Sequence, residues 1–125
     1  MKKQKEIKWL KVPEPHDYPA AADYLALVCK PEEIDKIIAE LKKAKLEYKK
    51  AKDVFRASGL PILTKDNFHV KKNLEKIDKG IALSPVLFVV DRINRKLIIA
   101  DGFHRASTAR VIDEGTIVPC FIAYI

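Results

Sequence analysis

Residues 101–108, DGFHRAST, bring together side chains that could bind a phosphate group. The residues of this stretch with polar or ionisable side chains are Asp101, His104, Arg105, Ser107 and Thr108. They follow the apolar run LIIA, at the point where a strand is expected to give way to a helix. The first amides of a helix lack intrahelical partners and carry partial positive charge, so they favour an anion.

Each residue type in this stretch suits such a site. Gly102 has no Cβ, so a ligand could approach its backbone closely. Arg105 supplies a planar, two-pronged donor for phosphate oxygens, and Ser107 and Thr108 could add hydroxyl donors. His104 can donate from either nitrogen and becomes cationic near neutral pH when a phosphate lies beside it. The sequence therefore predicts an anion site, with a phosphorylated small molecule as the ligand.

A structural alternative stays open for the same residues. Asp101 could cap the helix, and Arg105 could pair with Asp101 or with Glu114. If the site is catalytic, Asp101 is the first candidate for a general base or a magnesium ligand, and Asp66 is the second. His69, close to Asp66, could line the same cleft or lie in solvent. No spacing signature predicts a metal site made by the protein alone, so Mg²⁺ would arrive with a nucleotide.

The surrounding elements indicate one α+β domain with a small mixed sheet. Strands are expected at 85–90, 96–100 and 117–125, with Pro119 implying an edge or a bulge. Helices are expected from Asn67 to Gly80 and over 104–114, the latter capped by Gly115. Residues 97–125 would then form a βαβ unit with parallel strands.

The first half of the chain gives weaker signals. Three prolines predict that residues 1–19 form an extended arm, and the apolar run 24–29 predicts a strand. Pro31 should begin a helix, which either continues to Phe55 or breaks within 46–50 and ends before Gly59. Trp9 and Tyr18 in the arm could stack on a base, although packing against the domain is the simpler role.

The second half of the chain resembles the ParB/sulfiredoxin-like superfamily. The resemblance covers residues 81–125 and rests on DGFHRASTAR, on the apolar strand before it and on GTIVPCFI after it. In that group a strand ends in a Gly-x-x-Arg segment, which binds nucleotide phosphates together with the helix that follows. The chain as a whole resembles small bacterial proteins of this group.

The resemblance implies a nucleotide of the ATP, ADP or CTP type and a phosphotransferase or nucleotide hydrolase activity. Gly102 would be the close-approach glycine, His104 and Arg105 the phosphate-contacting pair, and Ala106 a helix position that packs on the sheet. Two departures limit the likeness. Phe103 stands where sulfiredoxins have their catalytic cysteine, which argues against that activity, and the Glu-Asn-x-x-Arg box of ParB proteins has no match.

Composition places bounds on the alternatives. The 125 residues include 24 basic and 17 acidic side chains, a balance that permits phosphate-bearing partners without requiring them. The lysine-rich block 42–52 supports a second hypothesis, a module that binds nucleic acid, and a third is a non-catalytic interaction domain. No apolar run approaches the roughly 20 residues that span a bilayer, and no secretory signal is evident, so a cytoplasmic protein is expected. Cys29 and Cys120 are expected to be structural thiols.

Overall fold

A computed structural model describes residues 6–125, in which five helices and four strands follow one another along the chain. The helices are α1 (Asp17–Leu25), α2 (Pro31–Lys43), α3 (Ala51–Ser58), α4 (Phe68–Asp78) and α5 (Phe103–Ile112). The strands are β1 (Glu47–Lys50), β2 (Val86–Asp91), β3 (Lys96–Asp101) and β4 (Ile117–Tyr124).

The strands form one mixed sheet in the order β1-β4-β2-β3. β4 is parallel to β2 and antiparallel to β1, while β2 and β3 form an antiparallel hairpin. Asp91 shapes the hairpin turn, because its Oδ1 accepts hydrogen bonds from the amides of Ile93 and Asn94. The predicted α+β class with a small mixed sheet is confirmed.

Helices cover both faces of the sheet, and the alternation of side chains along each strand explains how. In β2, Leu87 and Val89 point to the α1–α2 side, whereas Val86 and Phe88 point to the α3–α5 side. All four side chains are fully buried. A strand covered on both faces is expected to be apolar without alternation, which is what VLFVV shows. α4 packs against α5.

The N-terminal predictions need two corrections. Residues 24–29 do not form a strand, because α1 ends at Leu25 and a turn follows. The predicted arm ends at His16 instead of residue 19, since Pro19 lies in the first turn of α1, where a missing amide costs little. Residues 1–5 of that arm lie outside the described residues.

The predicted helix breaks within the lysine-rich block, as one of the two alternatives for this region predicted. Residues 47–50 form β1, which pairs with residues 117–120 of β4, and α3 starts at Ala51. α3 ends at Gly59, whose φ of 66° confirms the left-handed cap. The start of α4 is also as predicted, because the Asn67 side chain accepts from the amides of His69 and Val70.

The end of the chain differs from the predicted βαβ unit. β3 and β4 are antiparallel and separated by β2, so the parallel pair is β2 and β4, joined through β3 and α5. β4 is an inner strand, but Pro119 pairs only with Tyr48, because the β2 ladder begins at Cys120. The missing amide hydrogen of Pro119 therefore removes no hydrogen bond from the ladder between β2 and β4. α5 ends at Ile112, so Gly115 does not cap it.

Candidate functional site

The corner between β3 and α5 is built around Gly102. This residue is the N-cap of α5 and has φ 103° and ψ 22°, a conformation that side chains disfavour. An added Cβ would lie 2.9 Å from both Arg105 Nη2 and Val86 Cγ1. No side chain caps the helix, so the amides of its first turn keep their capacity to bind a ligand.

Arg105 turns inward from the first turn of α5. Its Nη2 lies 3.1 Å from Asp101 Oδ2, 3.3 Å from the carbonyl oxygen of Pro85 and 3.9 Å from Asp17 Oδ1. The side chain is 18% exposed, and its Nε is buried without a hydrogen-bond partner. The guanidinium therefore links α1, the residue before β2, β3 and α5, and it lies between two carboxyl groups.

Asp17 is the member of this cluster that sequence reasoning missed. It lies at the start of α1, its side chain is 2% exposed, and its Oδ2 accepts a hydrogen bond of 2.9 Å from the amide of Glu14. A single buried acid in a proline-rich segment gives no spacing signal. Only the presence of an aspartate at the first turn of an unrecognised helix could have suggested it.

The two carboxyl groups affect each other. Burial raises the pKa of Asp101 above its ordinary value near 3.8, and the adjacent Asp17 carboxyl raises it further. Arg105 acts in the opposite direction without cancelling this rise. Asp101 therefore takes up a proton more readily than an exposed aspartate does.

The hydroxyl groups of Ser107 and Thr108 form hydrogen bonds within the protein. Both side chains are buried, and each hydroxyl donates to a backbone oxygen of its own helix: Ser107 to Phe103 at 2.8 Å and Thr108 to His104 at 2.7 Å. Thr108 Oγ1 also accepts from Asn73 Nδ2. Both hydroxyls are therefore engaged within α5, and that of Thr108 also joins α5 to α4, so the predicted contact of Ser107 and Thr108 with a ligand stays a prediction.

His104 lies beside His69, with 4.3 Å between the ring centroids. Burial, and then the neighbouring His69 and Arg105, lower the pKa of His104 below 6.5. The free protein therefore holds a neutral imidazole at this position near neutral pH, and a bound anion would be needed to favour its cationic form. Asp66 is exposed on the loop before α4 and does not line the cavity at this corner.

A cavity of about 290 Å³ opens at the start of α5, and we call it the polar cavity. Its walls carry basic side chains from three parts of the chain: His16 before α1, His69, Lys72 and Lys76 on α4, and His104 and Arg105 on α5. Asp101 and Glu14 also line it. The predicted corner residues 101–105 thus lie together on a cavity, joined by Lys72 and Lys76, which the sequence analysis did not single out.

The carboxylates of the polar cavity already have partners. Glu14 Oε2 lies 3.1 Å from His16 Nε2, and Asp101 pairs with Arg105. Within residues 6–125, no group of three or more His, Cys, Asp or Glu side chains is arranged to hold a metal ion. The donor set therefore does not fit a magnesium site made by the described residues alone.

The lysine-rich block 42–52, which the nucleic-acid hypothesis uses, does not form one helical face. Its residues are divided among the end of α2, a loop, the edge strand β1 and α3. Lysines on an exposed edge strand also prevent unwanted pairing with other strands. Tyr18 and Trp9 pack against the hydrophobic clusters on the two faces of the sheet. Burial raises the pKa of the Cys120 thiol to about 12.

Comparisons with protein-family models, curated proteins and solved structures give no match to this chain. Among the described residues, no helix is long and apolar enough to cross a membrane.

Proposed function

We propose that the β3–α5 corner binds a nucleotide or another phosphorylated small molecule, with the phosphate in the polar cavity. One observation carries the proposal: Lys72 and Lys76 of α4 line the same cavity as the uncapped first turn of α5. Positive side chains and free helix amides act on an anion together. The Gly-x-x-Arg likeness to the ParB/sulfiredoxin-like superfamily and a cytoplasmic location belong to the same proposal.

The roles within the site differ from those that residue types alone suggest. Because Asp17 and Asp101 already pair with Arg105, we expect the lysines to supply the positive charge that a phosphate meets. Arg105 then mainly holds the helix start in place. His104, neutral before binding, would donate a hydrogen bond to a phosphate oxygen and gain a proton as the anion approaches.

Phosphoryl transfer or nucleotide hydrolysis is the reaction that such a site would support. The lysines and the α5 amides would stabilise charge on the transferred phosphoryl group. Asp101, the carboxylate at the corner itself, would accept the proton of the attacking hydroxyl or water. Release of inorganic phosphate from ATP or CTP tests the role of Asp101 in catalysis: Asp101→Asn should abolish the release while pyrophosphate binding is retained.

Calorimetric titration with inorganic pyrophosphate, ATP, ADP and CTP tests binding itself. We expect Lys72→Gln and Lys76→Gln each to weaken binding about tenfold, since a hydrogen bond to a charged group contributes about 1.5 kcal/mol or more. Lys71→Gln is the matched control, because Lys71 is exposed on α4 and does not line the cavity. Equal losses in all three variants, or no binding of any probe, would contradict the proposal.

A further inference from the structure

The outer side of β1 is a free edge of the sheet that the described residues form. β1 stands first in the order β1-β4-β2-β3, so among these residues it has β4 on one side and no strand on the other. Lys50 has an extended backbone, and the amide of Ala51 donates to the carbonyl oxygen of Thr116 at 2.8 Å, in line with the β1–β4 register. Backbone groups alternate in direction along an antiparallel strand. The amide and carbonyl groups of Tyr48 and Lys50 therefore point outward at the free edge.

A cavity of about 710 Å³ lies beside this edge, and we call it the edge cavity. Tyr48 lines it together with Pro119, which pairs with Tyr48 in the ladder, and with Ile117. Trp9 and Leu10 line it from the N-terminal segment. Tyr48 is 63% exposed and Ile117 is 45% exposed, so apolar surface stays open to solvent. Because side chains alternate between the two faces of a strand, every second side chain of a strand added beside β1 would lie on the face that carries this cavity.

The charge along the free edge is positive. Residues 42–52 contain six lysines and a single acidic residue, Glu47. Glu47 lies 3.7 Å from Lys49, in a solvent-accessible ion pair of the kind that contributes little. The lining of the edge cavity includes one lysine and two acidic residues, so the positive charge lies on the strand and not in the cavity. A second basic strand would place like charges opposite each other, whereas an acidic strand would be attracted.

We infer that the free edge of β1 binds an extended acidic segment of another protein as an added strand, with alternate apolar side chains of that segment in the edge cavity. Backbone bonding to a sheet edge, with pockets for alternate side chains, is an established mode of peptide recognition. Nucleic acid fits this edge less well, because the outward carbonyl oxygens of Tyr48 and Lys50 repel phosphate oxygens. A polypeptide backbone instead offers donors and acceptors in matching alternation. The inference is independent of the phosphate site at the β3–α5 corner.

The peptide acetyl-Val-Glu-Val-Glu-Val-Glu-Val-amide is the probe for this edge, titrated into the full chain and followed by NMR. We expect the amides of Tyr48 and Lys50 to exchange with solvent about tenfold more slowly in the complex. The amide of Ala51, which already donates to Thr116, is the internal control and should change little. No shift and no protection at Tyr48 and Lys50 would overturn the inference.

N-methylated forms of the same peptide test the backbone bonds directly. Only one alternate set of peptide residues, the valines or the glutamates, turns its amides toward β1. N-methylation of that set should abolish binding, and N-methylation of the other set should leave it intact. Equal effects of the two sets would mean that the peptide does not add as a strand, and would overturn the inference.

Lys50→Pro tests the outward amide from the side of the protein. Lys50 has φ −76° and ψ 138°, which proline adopts, so the ring removes one donor at the free edge and leaves the β1–β4 ladder in place. We expect Lys50→Pro to weaken peptide binding about tenfold and Lys50→Gln, which keeps the amide, about twofold to threefold. Lys36→Gln, exposed on α2, is the matched control for charge and should leave the affinity unchanged. Equal affinities of Lys50→Pro and Lys50→Gln would contradict the inference.

Other occupants of the edge give different results. A peptide with lysine in place of glutamate should not bind, and equal binding of the two peptides would overturn the acidic preference. A single-stranded oligonucleotide that displaces the acidic peptide, and that binds Lys50→Pro as well as Lys50→Gln, would assign the edge to nucleic acid. A dimer in sedimentation of the free protein that Lys50→Pro abolishes would assign the edge to a second copy of the chain. Either of these two results would overturn the inference.

Discussion

Substitution of Gly102 by alanine tests whether the β3–α5 corner is as closely packed as the structure shows. An L-residue in a left-handed conformation costs about 1–2 kcal/mol, and φ of 103° lies beyond the usual left-handed region. The new Cβ would also meet Val86 Cγ1 and Arg105 Nη2 at 2.9 Å. Overpacking of a buried position typically costs about 1–3 kcal/mol more, so the expected total is about 2–5 kcal/mol.

Gly59→Ala is the matched control for this measurement. Gly59 also has a positive φ, 66°, but a Cβ there would meet nothing within 4 Å. Its alanine variant should therefore lose only the conformational part, about 1–2 kcal/mol. Equilibrium unfolding in urea, fitted with one m value for all variants, gives both free energies of unfolding.

The two contributions at Gly102 can also be separated. Truncation of Val86 to alanine removes both methyl groups that the new Cβ would meet, so Gly102→Ala and Val86→Ala together should cost less than the sum of the two single changes, by about 1 kcal/mol. The reasoning is refuted if Gly102→Ala costs no more than Gly59→Ala. It is also refuted if the two changes at the corner are simply additive.

Three other predictions follow from the site. Thr108→Val should lower the free energy of unfolding by about 1–3 kcal/mol, because it leaves buried Asn73 Nδ2 without its acceptor, while pyrophosphate binding measured by calorimetry stays unchanged. His104 should titrate below 6.5 in an NMR pH series of the free protein, and pyrophosphate should raise its pKa; an unchanged value would place the anion elsewhere. For Asp101, the folded-state pKa is raised, so its contribution to stability is present below the ordinary value near 3.8 and is lost as pH rises through the folded-state value. In Asp101→Asn, the free energy of unfolding should no longer show this fall when it is measured between pH 3 and pH 7. An unaltered pH profile would show that titration of the carboxyl pair is not coupled to folding.

The corner itself could be predicted because its signals are local. An apolar strand, a glycine and a cluster of polar residues within one short stretch fix both the elements and the point where they meet. The same holds for α4, whose Asn67 cap precedes an apolar stripe. These features depend on residues close together in the sequence.

The missed elements depend on partners far away in the chain. β1 has the sequence EYKK, which lacks an apolar alternation because it is an exposed edge strand, and only the ladder with residues 117–120 makes it a strand. α1 was hidden because an alanine-rich run with a proline in its first turn is apolar without a clear period. Its buried positions, Ala21 and Leu25, face the sheet and become evident only once β3 lies beneath them.

The separation of these residues in the sequence also explains why the sequence did not reveal both partners of Arg105. Arg105 appears from the sequence to be a free phosphate donor, but Asp17 and Asp101 hold its Nη2 at 3.9 and 3.1 Å. Removal of one partner from a buried ion cluster leaves uncompensated charge and destabilises the fold. An alanine at Arg105 would therefore abolish binding whether or not the guanidinium touches the ligand. Substitution of Lys72 or Lys76 leaves the cluster intact, so these variants can show where a phosphate lies.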